Sequence, residues 1–221
     1  MEKYMEVLKD NILFNGLSFK QIGDMLFQLN PSVKKYIKGE FIINAGDRVR
    51  DVSIVLEGNI KIIKEDIRGI RCVIAQCGRG DMFAEALACA HTDFSPVSVT
   101  ANTACSVMFV NFDKITGFKI KPAEIASKLV RNMLTILAKK NVYLNDKLEH
   151  IGKRSIREKL LSYLAQQHLL SGKKIFTLPF TKTDLADFLF IDRSAMSREL
   201  TNMRKEKLID FDGNTFKIIK K

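Results

Sequence analysis

Short runs in which apolar and polar residues alternate fill the chain between Val33 and Phe112: Lys35–Ile37, Glu40–Asn44, Val52–Leu56, Asn59–Lys64, Arg71–Gln76, Val97–Ala101 and Ala104–Asn111. Turn glycines separate them, at Gly39, Gly46, Gly58, Gly69, Gly78 and Gly80. Period-two patterning with this punctuation predicts an antiparallel sandwich, barrel or roll, an architecture that binds more often than it catalyses. Residues 1 to about 30 read as helical, carried by Leu8, Ile12, Leu13, Met25, Leu26 and Leu29, up to the break at Asn30-Pro31. After Gly117 the pattern lengthens, and from Pro122 to about His150 neither glycine nor a further proline interrupts it. Ala126, Leu129, Met133, Ile136 and Tyr143 form one stripe at helical spacing; Val130, Leu134, Leu137, Leu144, Leu148 and Ile151 form a second beside it. One stripe suffices to seat a helix on its own domain. Two adjacent stripes predict a partner as well, in a parallel dimer seam. Leu129, Met133, Ile136, Leu137, Tyr143 and Leu144 are its candidates, and the stripe that faces the partner stays open.

Gly152 marks a hinge, and Ile156, Leu160, Leu161 and Leu164 predict a further amphipathic helix ending near Ser171-Gly172, then a short strand at Ile175–Leu178. The stretch from Thr181 to Ile209, TKTDLADFLFIDRSAMSRELTNMRKEKLI, reads as two short helices around a tight turn. Thr181 with Asp184 three residues on is a capping box, and Leu185, Phe188 and Leu189 share one face of the helix that follows. Asp192 caps the next helix, in which Met196, Leu200 and Met203 point inward and Arg193, Ser194, Ser197, Arg198 and Thr201 point outward. Such a face suits the major groove, where arginine pairs with guanine O6 and N7. Alternation at Leu208–Phe211 and Thr215–Ile219 around Asp212-Gly213-Asn214 adds a hairpin, which completes a winged helix.

Charge sharpens this picture. The chain of 221 residues carries a formal net charge of +11 with 46% hydrophobic residues, enough for two ordinary cores. Ile151 onward holds 15 basic and 8 acidic residues, against 21 and 17 before it, so the smaller C-terminal part is the one suited to a polyanion. No apolar run approaches the roughly 18 residues of a membrane span, and the N-terminus lacks the order of a signal peptide; the expectation is a cytoplasmic protein without a membrane partner. Cys72, Cys77, Cys89 and Cys105 form no CxxC pair and no zinc spacing with His91, His150 and His168, which leaves them as small hydrophobes. No catalytic constellation or phosphate-cradling glycine motif is present, so no enzyme is expected.

The order of parts resembles the Crp/Fnr family, the cyclic-AMP receptor and fumarate-nitrate regulators of bacterial transcription. FIINAGDRVRDVSIVLEGNIKIIKEDIRGIRCVIAQCGRGDMFAE is similar to the family's β-roll, and LADFLFIDRSAMSRELTNMRKEKLI resembles its DNA-reading motif, with the long helix between them. The resemblance implies an α+β chain: a cyclic-nucleotide-domain-like antiparallel β-roll over residues 1–116, a dimerisation helix over 117–151 and a winged helix-turn-helix over 152–221. It implies a homodimer on a palindromic operator in double-stranded DNA, and RNA polymerase as a partner if the protein activates. Arg193, Ser194, Ser197 and Arg198 would then meet base edges, and Thr181, Lys182, Thr183, Asp192, Lys205 and Asn214 the phosphate backbone. Phe190 stands where the family commonly has glycine and is strained if that position needs positive φ. The effector pocket would involve Phe83, Ala84, Glu85, Ser95 and Pro96. Ala84 takes a glycine position and Ser95-Pro96 the place of the Arg-Ser pair whose arginine holds a cyclic phosphate, so cyclic AMP is not the expected effector. No N-terminal cysteine cluster supports an iron–sulfur centre, and neither His91 nor Cys89 is expected to hold haem. A regulatory protein that acts through protein contacts rather than DNA is the alternative.

Overall fold

Val52, Ile54, Val55 and Leu56 are all fully buried, because the strand that carries them is covered on both faces in the computed structural model. The structure describes residues 2–65, 71–117, 120–178 and 181–219, and the chain forms two units, Met1–Lys139 and Lys140–Lys221. Unit 1 begins with α1 (Met5–Asp10) and α2 (Phe19–Leu29), with short 3-10 turns at Glu2–Tyr4 and Ile12–Phe14. Ser18 starts α2 through a reciprocal capping box with Gln21. The strands β1 (Ser32–Tyr36), β2 (Phe41–Ile43), β3 (Asp51–Glu57), β4 (Ile60–Glu65), β5 (Arg71–Cys77) and β6 (Met82–Phe83) follow, then α3 (Glu85–Cys89), β7 (Ser98–Ala101), β8 (Cys105–Asn111) and α4 (Phe112–Thr116). The long helix α5 (Ala123–Ile151) starts in unit 1 and ends in unit 2.

Two antiparallel four-stranded sheets, in the orders β1-β8-β3-β6 and β2-β7-β4-β5, make the roll. Ile43, Val55, Ile60, Phe83, Val99 and Val107 come from both sheets and share one core. The other face of β3 and β8, with Val52, Ile54, Leu56, Met108 and Val110, packs into a second core with Leu8, Ile22, Met25, Leu129 and Met133 from the helices. This double coverage explains why β3 reads as an apolar run rather than as an alternating one. Gly58 has φ +76 where β3 turns into β4, and a Cβ there would lie 2.2 Å from the carbonyl oxygen of Ala104; only glycine fits so close an approach.

In unit 2, α6 (Ile156–Ser171) is capped by Ser155 and Glu158. It is followed by β9 (Ile175–Thr177), α7 (Lys182–Leu189), α8 (Arg193–Lys205), β10 (Ile209–Asp212) and β11 (Thr215–Ile218). The sheet order is β10-β11-β9, antiparallel throughout, with Phe211 opposite Phe216 and Phe216 opposite Phe176. Leu160, Leu164, Leu185, Leu189, Met196, Leu200, Met203, Ile209 and Phe216 form its core. The mixed α+β class, the antiparallel roll, the long helix and the winged helix therefore agree with the sequence reading. The short elements β6, α3 and α4 were not foreseen.

The two stripes of α5 have different fates, and the dimer-seam expectation needs correcting accordingly. Ile125, Ala126, Leu129, Met133 and Ile136 are buried in unit 1's own core, with Leu137 half-buried against it. The buried Asn132 secures the same face by donating to the carbonyls of Leu13 and Asn15 at 2.9 and 3.0 Å. Leu129, Met133 and Ile136 are thus covered by their own chain and are not available to a partner. Leu134, Leu144 and Leu148, at 63%, 54% and 60% exposure, lie on the open stripe. Replacing Leu129 by alanine should lower the unfolding free energy by ~2–5 kcal/mol in a urea titration, as for a truncation that leaves a buried cavity; a loss below about 1 kcal/mol would contradict this placement.

Candidate nucleic-acid interface

The second helix of the pair, α8, is held by its inner face. Met196, Leu200 and Met203 are buried, which at helical spacing turns Arg193, Ser194, Ser197, Arg198 and Thr201 outward, and all five are exposed. Asp192 starts the helix: its Oδ1 accepts the amide of Ala195 at 2.8 Å and the hydroxyl of Ser194 at 2.5 Å. The Ser194 hydroxyl and the Ala195 amide together hold the Asp192 carboxyl below the usual carboxylate range. The Ser194 proton is directed at Asp192, so toward a base edge this hydroxyl presents its lone pairs. Neither Arg193 nor Arg198 forms an ion pair among the described residues.

The acids of α8 are engaged elsewhere. Arg157 on α6 donates through Nε to Glu199 at 2.5 Å and through Nη1 and Nη2 to the two carboxylate oxygens of Glu206 at 2.8 and 2.7 Å. These two carboxylates, Glu206 first, hold the guanidinium in its charged form. Arg204 pairs with Asp210 at 2.7 Å and lies over the Phe211 ring at 5.0 Å. The sequence reading missed the Arg157 clamp, since its members lie 42 and 49 residues apart.

Among the residues assigned to the phosphate backbone, Thr181 caps α7: its Oγ1 accepts the amide of Asp184 at 3.2 Å and donates to Oδ2 of that residue at 2.6 Å. Lys182 is half-buried, with Nζ 4.4 Å from the centre of the Phe211 ring. Thr183 and Lys205 are exposed. Asn214 lies in the β10–β11 turn, where its carbonyl accepts the amide of Leu178 at 2.9 Å. Phe190 has φ 52 and ψ 54, the left-handed region, so phenylalanine occupies a position that favours glycine. Its ring and that of Phe188 lie 5.3 and 4.8 Å from Nζ of Lys147.

His150, read from sequence as one of three scattered histidines, is buried at the end of α5. Its Nδ1 meets Ser162 Oγ and its Nε2 meets Gln166 Oε1, both at 2.8 Å, while Gln166 Nε2 donates to Asp146 at 2.7 Å. A carboxylate only accepts, so the Gln166 amide must turn its oxygen to the imidazole and the proton must sit on Nε2. Ser162 and Gln166 stand one turn apart on α6. That i, i+4 polar pair is the one sequence signal that could have disclosed the network.

In unit 1, Phe83, Glu85 and Ser95 are buried and Pro96 is exposed. Ala84 has φ 63. The Ser95 hydroxyl donates to the carbonyl of Val97 at 2.7 Å, closing its own turn. Two clefts, of about 180 and 340 Å³, open in this unit, and none of these five residues lines either of them. Cys105 is buried, and Cys77 and Cys89 are half-buried; the side chain of Cys72 lies outside the described residues. Burial, with Glu85 nearby, pushes the Cys89 thiol up to about 11, the opposite of an activated thiolate. His91 lies at the surface, 3.7 Å from Asp113. Among the described residues there is no group of metal-ligating side chains and no helix long and apolar enough to cross a membrane.

A β-roll joined through a long helix to a winged helix that turns unpaired arginines outward defines a transcription regulator with a helix-turn-helix DNA-binding domain. The cyclic nucleotide-binding domain family matches residues 33–118 and the Crp-like helix-turn-helix domain family residues 158–221. Over 184 residues the chain is 28% identical to the "Probable transcriptional regulator flp" of Lacticaseibacillus casei, covering 82% of this chain and 80% of that one. It is 23% identical over 188 residues to the "cAMP-activated global transcriptional regulator Vfr" of Pseudomonas aeruginosa, covering 82% and 86%. The solved structure "OCPA complexed CprK" superposes with a TM-score of 0.68 at 16% identity, over 90% of this chain and 91% of that one, and so shares the fold. The chain belongs to the Crp/Fnr family.

The left-handed backbone at Phe190 has a measurable consequence. Phe190→Ala and Phe190→Gly both remove the ring, but only glycine removes the conformational penalty. The glycine variant should therefore be the more stable of the two by ~1 kcal/mol in urea unfolding; equal stabilities would show that the position carries no strain.

Proposed function

We propose that the protein acts as a homodimer on a palindromic site in double-stranded DNA, reading bases through Arg193 and Arg198 and answering to an effector other than cyclic AMP in unit 1. The observation that carries this reading is the exposed, unpaired state of both arginines on a helix whose other face is buried. Arginine makes a bidentate contact to guanine in the major groove, and Ser194 and Ser197 on the same face are short enough to let the backbone approach. Thr183 and Lys205 are free to contact phosphates, which would make affinity fall steeply with salt. Thr181, Lys182, Asp192 and Asn214 would act mainly by fixing the elements around them.

The second stripe of α5 supports the dimer: Leu134, Leu144 and Leu148 are exposed on one helix, an apolar row that pairing of two such helices would cover. Two reading helices then meet successive major grooves roughly 34 Å apart. Against cyclic AMP stands the pair Ser95-Pro96, which offers no cation to a cyclic phosphate. An effector shifts DNA binding only as far as it prefers the DNA-competent state. Action on DNA implies a cytoplasmic location, and RNA polymerase joins the partners where the protein activates.

Selection of bound sequences from a random duplex library should enrich a two-fold symmetric motif. Failure to enrich any sequence would favour the reading in which the protein acts through protein contacts instead. Arg198→Ala should cost ~1–3 kcal/mol on the selected site and relax one base position in each half; an unchanged affinity and footprint would remove Arg198 from the reading face. Leu144→Asp combined with Leu148→Asp should give monomers in sedimentation and abolish binding to the symmetric site. A double variant that still sediments as a dimer would rule out this face as the seam.

A further inference from the structure

The cleft of about 180 Å³ in unit 1 lies between β1, β2, β3 and β8; Phe83–Glu85 and Ser95-Pro96 do not line it, although Ser53 is the cross-strand neighbour of Phe83 and Asp47 accepts the amide of Ser95. Ser53, on the same face of β3 as the core residue Val55, lines it. Ser53 is fully buried, and its hydroxyl has no hydrogen-bond partner among the described residues. A buried hydroxyl without a partner costs about 1–3 kcal/mol, so it marks a place where an incoming polar atom gains more than it would at the surface. Tyr36 and Phe109 form one wall, their rings edge to face at 6.5 Å. The cleft is open to solvent and lined mainly by polar groups, and its volume of about 180 Å³ leaves room for a body of one ring.

Charge at the mouth selects among such molecules. Asp47 and Asp51 line the cleft, but Asp47 accepts the amide of Asn44 at 2.7 Å, and Asp51 accepts from Asn111 at 3.4 Å. Arg48 is paired with Asp93 at 2.9 Å, and Arg50 donates to the carbonyl of Thr92 at 3.1 Å. Lys34 is different: its Nζ sits 5.7 Å from the centre of the Phe109 ring, and no carboxylate pairs with it among the described residues. Arg50 likewise meets no carboxylate among the described residues and donates only to backbone carbonyls, so Lys34 is set apart by lying directly beside the aromatic wall.

We propose that this cleft is a binding site for a small organic carboxylate with a body no larger than one ring, its carboxylate on Lys34, its ring against Tyr36 and Phe109, and a polar atom toward Ser53. The proposal deepens the reading of unit 1 as an effector domain and rests on it only for what the ligand would regulate. Its test needs no DNA, so its failure leaves the DNA-binding reading standing, and failure of that reading leaves the site standing.

The full chain is titrated by calorimetry with benzoate and with the neutral isostere benzamide. Benzoate should bind saturably, once per chain, and benzamide more weakly by about tenfold or more, the weight of a hydrogen bond to a charged group. Lys34→Met, an exposed substitution that leaves the fold intact, should bring benzoate down to the affinity of benzamide, and Ser53→Ala should weaken both. The absence of saturable benzoate binding at millimolar concentration, equal binding of benzoate and benzamide, or benzoate binding unchanged in Lys34→Met would each overturn the assignment.

Discussion

A helix of 29 residues with two apolar stripes cannot hide both from water inside one thin domain, and much of the molecule follows from that limit. The stripe of Ile125, Leu129, Met133 and Ile136 closes the core over the outer face of β3 and β8. Asn132 confirms the choice of face, because its amide reaches the carbonyls of Leu13 and Asn15 only with this stripe turned inward. Leu134, Leu144 and Leu148 are then left in solvent by geometry rather than by lack of hydrophobicity. An exposed apolar row of this length supports the proposed pairing of two such helices.

The same logic of assigned faces governs unit 2. A helix that reads a polyanion must present cations, yet α8 also carries Glu199 and the residue after its end, Glu206. Arg157 engages both from the adjacent helix and halves their charge, and Asp192 is turned into the helix start by Ser194 and Ala195. Glu199 and Glu206 are thus tied to Arg157, while Asp192 stays ionised at the helix start and Arg193 and Arg198 are the cations on the exposed face of α8. A surface ion pair contributes little stability by itself. Here its larger effect is on the sign of the potential that an approaching duplex meets.

Strand and helix positions were legible because they depend on local pattern: the period-two runs correspond to strands, and the boxes Thr181/Asp184 and Asp192 start helices where the side chains said they would. β6, of two residues, and α3 and α4, of five each, were too short for any period to show. The orientation of α5 was undecidable from its own residues, since both stripes are apolar and only the surroundings choose between them. His150 illustrates the remaining limit: its burial depends on Ser162 and Gln166 from another helix, and polar groups become tolerable inside only once such partners are assembled. Phe190 is the opposite case. There the comparison with glycine in related chains exposed a left-handed backbone that composition alone would not reveal.

Electrostatics also distinguish Lys34 from the charged groups nearest Ser95. Around Ser95 the chain is closed on itself: the amide of Ser95 donates to Asp47, its carbonyl accepts from Gly46 and its hydroxyl donates to Val97. The adjacent arginines are engaged, Arg48 with Asp93 and Arg50 with Thr92. An anion arriving there would have to break existing bonds before it gained any, and that loss is comparable to what a new charged hydrogen bond returns. At Lys34 no hydrogen bond or ion pair among the described residues has to be broken. Lysine has a flexible stem and three rotatable donors, so it can turn from the Phe109 ring to an anion at the cost of one weak cation–π contact. If unit 1 senses an anion, that difference favours the proposed site at Lys34 over the turn at Ser95-Pro96.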